Sequence, residues 1–455
     1  MSSSPSTIRV AIIGGGLTGA IVLRGLLRYP HISVDLYEPR PIFKEEGPGL
    51  SLSTQTQAVL AAIDPELEQC LDRAGAVYTM TEVRLATGPH IGREIGVNEI
   101  GERSQRNVGR QAFLTEMIDG IPPHILHPGT RISSVTELSP GQGLVLTFGD
   151  GSQKTYDIVI GADGTHGFTR QLVLGTNESL VKAQSTGFWG LSIKVPLQRA
   201  QQVMSTQYLD PGNPRQVCWI GDGTVMISDL LANGTDAQIV VYGKEDEEDE
   251  ISESSWAKLF TPDEFRDLFD GSRVPVCQSM VDVRSPSNPW CRKELTELTN
   301  TLQLILSVYT VQIPAINQLE HRATPTYTSR NLCLIGDSAH SMLPFLGADA
   351  SLAFEEALVL CALLGRVSSK AAIPVALQAY DQICRSRAEQ AARFSAETGL
   401  LVVGRAPGVG VNADLIQLHL RDKFEFLRDF DVNAHRAMAN AIMDQLLGAA
   451  VGWSS

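Results

Sequence analysis

The sequence predicts an α/β fold in which a parallel sheet is interleaved with an α+β domain and followed by C-terminal helices. Three observations lead there. An apolar strand, Ile8 to Ile13, runs directly into a glycine-rich turn and then a helix. Two later apolar strands, Asp157 to Ile160 and Asn331 to Ile335, run into Gly161-Ala162-Asp163 and Gly336-Asp337. Between them, Phe188 to Val195 and Val225 to Val241 carry the alternating or continuous apolar runs of a sheet.

In the first turn, Gly14-x-Gly16-x-x-Gly19 sits between strand and helix. The first glycine permits the tight turn, the second lets backbone approach a pyrophosphate, and the third lets the helix pack on the strand. The helix N-terminus then faces phosphate with unpaired N–H groups and the positive end of its dipole. The second strand, Ser33 to Tyr37, ends in Glu38, 19 residues after the third glycine, where a ribose-binding carboxylate belongs. A carboxylate there suits the free 2′-hydroxyl of FAD or NAD over NADP. Arg40, two residues on, is read as a surface residue. Asp337 stands at the carboxyl end of a parallel strand, where open α/β sheets bind ligands. As an acceptor-only group it suits the ribityl hydroxyls of a flavin.

With these residues in place the sequence resembles a family. GGGLTG, IGADGTHGFTR and LCLIGDSAHSMLPFLGADASLAFEEAL are similar, in this order, to segments of the FAD-dependent aromatic monooxygenases of the para-hydroxybenzoate and salicylate hydroxylase type. The likeness runs from Arg9 to about Gly399 and takes in Gly47-Pro48-Gly49 and the helix bearing Tyr380, Arg385 and Arg387. In VGRQAFLTEMI, Arg110 matches the family arginine that contacts the flavin nucleotide. The resemblance implies a FAD-binding Rossmann-like (GR2-type) domain. Its bound FAD would be held by Gly14, Gly16, Gly19, Glu38, Gly49, Arg110, Asp163, Gly164, Asp337, Gly347 and Ala350. It also implies NAD(P)H as co-substrate without a second nucleotide-binding domain; no second glycine fingerprint is present. The implied reaction is hydroxylation of a small phenolic or polyketide-derived aromatic with O2, through a flavin C4a-hydroperoxide.

The sequence departs from the family at several points. Asp349, in Gly347-Ala348-Asp349-Ala350-Ser351, replaces a glycine beside the expected isoalloxazine. It adds a side chain and a charge that opposes an anionic reduced flavin. Gly167 replaces a common serine. Related fungal dearomatising hydroxylases carry an arginine and a tyrosine where Trp189 and Asp229 stand here. Asp229 has two readings: an acceptor for a phenol proton, the catalytic candidate, or a turn or solvent-facing residue. Trp189 is read as a core or pocket-wall aromatic. His340 is read as a packed, hydrogen-bonded residue near the flavin rather than a base.

The resemblance divides the chain into a discontinuous FAD-binding domain (1–78, 108–180, 318–400), a substrate-binding domain (79–107, 181–317) and a C-terminal helical cap (401–455). Glu245 to Glu250, six consecutive acids, reads as a solvated loop. Val283 to Gln303 reads as an insertion, either a surface loop or a translated intron. The 455 residues are 43% hydrophobic, enough for a sizeable core. Against 51 acidic residues stand 37 basic ones, and a net charge of −14 argues against a nucleic-acid partner. Seven cysteines without a CxxC pair point to a reducing compartment, with no disulfide framework and no metal site. No stretch reaches the ~20 apolar residues of a membrane span and no secretory signal is visible, so a cytoplasmic monomer or homodimer is expected. Two other readings stay open: a FAD-dependent oxidase or dehydrogenase, and a binding protein on an impaired flavoprotein fold.

Overall fold

The computed structural model describes residues 7–452 except 89, 97–104, 139–141, 205–206, 246–256, 269–299 and 310–311. Most of the acidic run and of the segment 283–303 therefore lies outside the described residues. Glu245 is described and pairs with Lys258 at 2.6 Å. Residues 300–303 are described too, and they correct the expected extent of the insertion. They lie in a helix whose Leu302 is buried in the core of the second sheet, where a surface loop has no place.

Ile8–Ile13 is buried along nearly its whole length, as a central parallel strand must be. It pairs in parallel with Ile32–Glu38 on one side, Val10 opposite Val34, and with Ile158–Gly161 on the other, Val10 opposite Ile158. Leu332–Leu334 continues the parallel order beyond Ile158–Gly161, and Leu126–Pro128 lies outside Ile32–Glu38. The carboxyl ends of Ile8–Ile13, Ile158–Gly161 and Leu332–Leu334 thus bring the three glycine turns to one edge. Helix Leu17–Leu27 packs against helix Asp349–Gly365, which is apolar almost all round and buried accordingly.

The second sheet has ten strands among the described residues. In its centre Asp236–Lys244 pairs antiparallel with both Gln184–Pro196 and Thr224–Leu231. Thr224–Leu231 pairs with Arg215–Ile220, which lies parallel to Val77–Leu85. Alternate side chains take opposite faces. One face sends Trp219, Met226, Ile239 and Val241 into an apolar core that also holds Trp189. Trp189 sits edge-on to Phe260 at 5.0 Å between centroids, so it is a core residue and not a pocket wall. The other face carries Gln216, Cys218, Ile227, Asp229, Gln238 and Val240 towards the glycine turns.

The C-terminal part is helical, as expected. The long helix Ile373–Val402 starts with proline in its first turn, where no amide is lost. Helix Ala413–Arg428 is capped by Asn412, whose side chain accepts from the Asp414 and Leu415 amides at 3.1 and 3.2 Å. It lays Leu420, Phe424 and Leu427 over the open face of the second sheet. Helix Val432–Gly452 packs on the long helix. Among the described residues no helix is long and apolar enough to cross a membrane.

Candidate active site

The first glycine turn is shaped by contacts that no side chain tolerates. Gly14 has φ +113°, and a Cβ on it would lie 2.1 Å from the Ala162 carbonyl oxygen. A Cβ on Gly19 would lie 2.0 Å from the Gly14 carbonyl oxygen, so helix Leu17–Leu27 sits directly on the turn. Glu38 ends its strand with Oε2 accepting from the Gly15 amide and Oε1 from the Arg40 amide, each at 2.9 Å. Arg40 itself is exposed, as expected, and donates to the Lys44 carbonyl. Glu45 is the unexpected member. Its Oε1 accepts from the Leu17 amide at 2.9 Å, at the first turn of the helix. Burial pushes its carboxyl above the usual range, although the Leu17 hydrogen bond and Arg110 pull the other way.

The other two turns are bound to each other. Asp163 accepts from the Thr169 amide at 3.0 Å and from the Thr169 hydroxyl. A Cβ at Gly167 would meet that carboxyl group at 2.1 Å, which explains why glycine stands there and not serine. Arg170, fully buried, donates to the carbonyls of Ser338 and Ala339 at 3.1 and 2.7 Å. Burial without a carboxylate partner lowers it to about 10. His340 lies 2.8 Å from Glu356. Burial alone would lower the imidazole, but the charges of Glu356 and Asp337 together raise it. It is thus a packed, paired residue.

A groove of about 520 Å³ runs along these turns. Arg40, Arg110, Asp163 and Asp337 line it together. Protein crowding around Asp337, with Asp349 nearby, pushes its carboxyl above the usual range. The groove offers the Arg40 guanidinium for phosphate and carboxylates for hydroxyls, with a glycine turn and a helix N-terminus nearby. That donor set fits a dinucleotide.

A second cavity, about 280 Å³, lies behind the groove. Pro48, Arg110, Val240, Tyr242, Pro344 and Asp349 line both and form the wall between them. Gly49, Gly347 and Ala350 of the expected set line this cavity with Asp229. Asp349, the first residue of its helix, faces Arg110 at 3.4 Å. Arg110 also donates to the Pro48 carbonyl at 3.0 Å and stands 4.0 Å from Glu45. The charge added by Asp349 is therefore paired within the wall.

The cavity floor is built by register. Gln216 lies opposite Thr81, and Asp229 opposite Gln238. Two residues further along each strand, Val83, Cys218, Ile227 and Val240 form an apolar row. Asp229 Oδ2 accepts from Gln216 Nε2 at 2.9 Å and Oδ1 from Gln238 Nε2 at 3.1 Å. It is 3% exposed, in mid-strand, which corrects the reading of a turn or solvent-facing residue. Among the described residues no cation pairs with it. Burial dominates and pushes its carboxyl up to about 7, against the two carboxamides.

Sequence reasoning missed Glu45, Gln216 and Gln238. Glu45 lies in a polar stretch with a second glutamate beside it, and nothing local distinguishes the two. The glutamines come from separate strands, and only the sheet register brings them to Asp229.

A family model described as FAD binding domain matches residues 129–395, more than half of the chain. Salicylate hydroxylase of Pseudomonas putida is 26% identical over 451 residues, covering 97% of this chain and 96% of that protein. 6-Methylsalicylate 1-monooxygenase of Aspergillus terreus is 27% identical over 394 residues, covering 84% and 80%. A salicylate hydroxylase substrate complex superposes with a TM-score of 0.75 at 23% identity, covering 96% of this chain and 98% of that one. The expected fold is thereby shown, with its FAD-binding domain and C-terminal helices. The chain belongs to the FAD binding domain family.

Proposed function

We propose that the chain is a FAD-dependent monooxygenase that hydroxylates a phenolic or polyketide-derived aromatic with NAD(P)H and O2. One observation carries the reading: a dinucleotide-type groove shares a wall with an apolar cavity whose floor holds a buried, unpaired carboxylate. Relatives named for salicylate and 6-methylsalicylate support the same class of reaction. The proposed division of labour follows the domains given above, with residues 1–78, 108–180 and 318–400 holding FAD and the second sheet holding substrate.

The chemistry that FAD would supply here, when bound, is activation of O2 with electrons taken from NAD(P)H. Gly14, Gly16 and Gly19 would bring backbone to its diphosphate, while Glu38 and Asp337 would accept from its hydroxyls. Arg110 stands at the wall between cofactor and substrate, with Gly49, Gly347 and Ala350 on the cavity side. Asp163 and Gly164 shape the second turn. Asp229 takes the proton of a ring hydroxyl at a carboxylate oxygen, making the ring a stronger nucleophile. A value of about 7 suits a base that works near neutral pH. Gln216 and Gln238 fix its orientation. Leu420, Phe424 and Leu427 exclude water from above.

Product analysis under 18O2 tests the reading. Label in the product, with flavin absorbance in the purified protein and NAD(P)H oxidation stimulated by phenols, is expected. Unlabelled product accompanied by H2O2 would make the protein an oxidase. A colourless protein that gains nothing from added FAD would make it a binding protein.

A further inference from the structure

We propose that the cavity behind the groove selects by charge, accepting a neutral, hydroxyl-bearing aromatic ring and rejecting the same ring bearing a carboxylate. The inference rests on the monooxygenase reading for the identity of the cavity as the substrate site, and it names the substrate class.

The first argument is the charge of the walls. Among the described residues that line the cavity, Arg110 is the one cation. Its Nε is committed to the Pro48 carbonyl and its Nη2 to Asp349, with Glu45 at 4.0 Å from Nη1. Three carboxylates line the same space: Asp229, Asp349 and Glu355. Glu355 is matched by Arg387 at 2.5 Å, and Asp349 by Arg110. Asp229 is left over. A second carboxylate entering this cavity meets an excess negative charge and no free cation, and like charges brought together out of water repel strongly.

The second argument is hydrogen-bond direction. Gln216 and Gln238 both turn their NH2 groups to Asp229. The Gln238 carbonyl oxygen accepts from the Gly49 amide at 2.6 Å, and the Gln216 NH2 group also donates to the Ser51 hydroxyl at 2.7 Å. A carboxylate has about four lone-pair sites, and two of those on Asp229 are occupied. The remaining sites accept. A ring hydroxyl donates to them, whereas an aromatic carboxylate can only accept. The apolar row beside Asp229 then takes the ring. The volume, about 280 Å³, is roughly twice the ~150 Å³ cavity that takes up benzene, enough for a substituted single ring.

Calorimetric titration of the FAD-loaded protein at pH 8, without NAD(P)H so that no turnover occurs, tests this with a matched pair. Resorcinol is expected to bind at least tenfold more tightly than 2,4-dihydroxybenzoate. In Asp229→Asn the ratio falls to within about threefold through tighter binding of the acid. Asp229→Glu, which keeps the charge, keeps the preference. Equal or tighter binding of the acid by the unsubstituted protein overturns the proposal, as does binding of neither ring at millimolar concentration. An unchanged ratio in Asp229→Asn removes the role given to Asp229. The monooxygenase reading fails separately: selective binding without 18O in any product defeats that reading and leaves the charge selection standing.

Discussion

Gln238 stands directly opposite Asp229 in the neighbouring strand and donates to it at 3.1 Å, while the same carboxamide accepts the Gly49 amide at 2.6 Å. One side chain thus ties the loop that follows the wall residue Pro48 to the carboxylate on the cavity floor. Replacing it with the similarly sized Gln238→Leu strands the Gly49 N–H and removes one donor from Asp229. A buried amide left unsatisfied costs about 1–3 kcal/mol. FAD affinity is expected to fall about tenfold or more, measured by quenching of flavin fluorescence. The acidic limb of the pH–rate profile should move to higher pH.

Asp229 itself gives a pH signature. Its value of about 7 in the fold lies above the ~3.9 of an unfolded chain. Between about pH 4 and 7 the folded protein keeps a proton that the unfolded chain has released. Stability contributed by the neutral form is therefore complete below pH 4, declines through that window and is gone above 7. The difference is about 4 kcal/mol. Asp229→Asn should melt about 4 °C higher than the parent at pH 8 and show little gain at pH 4. Turnover of the parent should rise with pH through about 7, and the variant should lose at least about a hundredfold.

Glu45 places a carboxylate against the Leu17 amide, at the helix end that would otherwise face a diphosphate. Glu45→Gln keeps an oxygen acceptor for that amide and removes the charge. FAD should bind about fivefold more tightly at pH 8, equivalent to about 1 kcal/mol at a helix N-terminus. The gain should shrink as the pH falls, because the raised carboxyl of Glu45 takes up a proton before an ordinary carboxylate does. Equal FAD affinity of parent and variant at pH 8 would refute this.

Arg387 lies over the rings of Phe426 and Phe430 at 4.4 and 4.1 Å and pairs with the buried Glu355 at 2.5 Å. It fastens helix Ala413–Arg428 to the long helix beneath. Arg387→Ala leaves Glu355 buried and alone, which costs about 3–5 kcal/mol. Limited proteolysis should then cut between residues 403 and 431. With Phe424 and Leu427 loosened over the cavity, the ratio of H2O2 formed to product should rise.

The fold was legible because its signals are local. Gly14, Gly16 and Gly19 are spaced within six residues, Glu38 ends the next strand, and the two later turns each announce themselves within a few positions. The substrate side was not legible in the same way. Asp229 drew attention by position, but what makes it a candidate base is burial beside Gln216 and Gln238. Those contacts follow from strand register, which no local pattern states. Trp189 illustrates the same limit, since a shift of one residue decides between pocket and core. Glu45 could not be told from Glu46 without the turn geometry.

The strand order has a consequence for biosynthesis. Ile158–Gly161 is flanked by Ile8–Ile13 on one side and by Leu332–Leu334 on the other. Until residues 332–334 have left the ribosome, one edge of the central parallel sheet has no partner. Helix Asp349–Gly365, which covers helix Leu17–Leu27, emerges later still. The nascent chain therefore carries an open sheet edge and an uncovered apolar helix through most of its synthesis. Such surfaces pair with neighbours when left waiting. Yield on expression should depend on slow translation, low temperature and chaperone supply. N-terminal fragments ending before residue 365 should be recovered as aggregate.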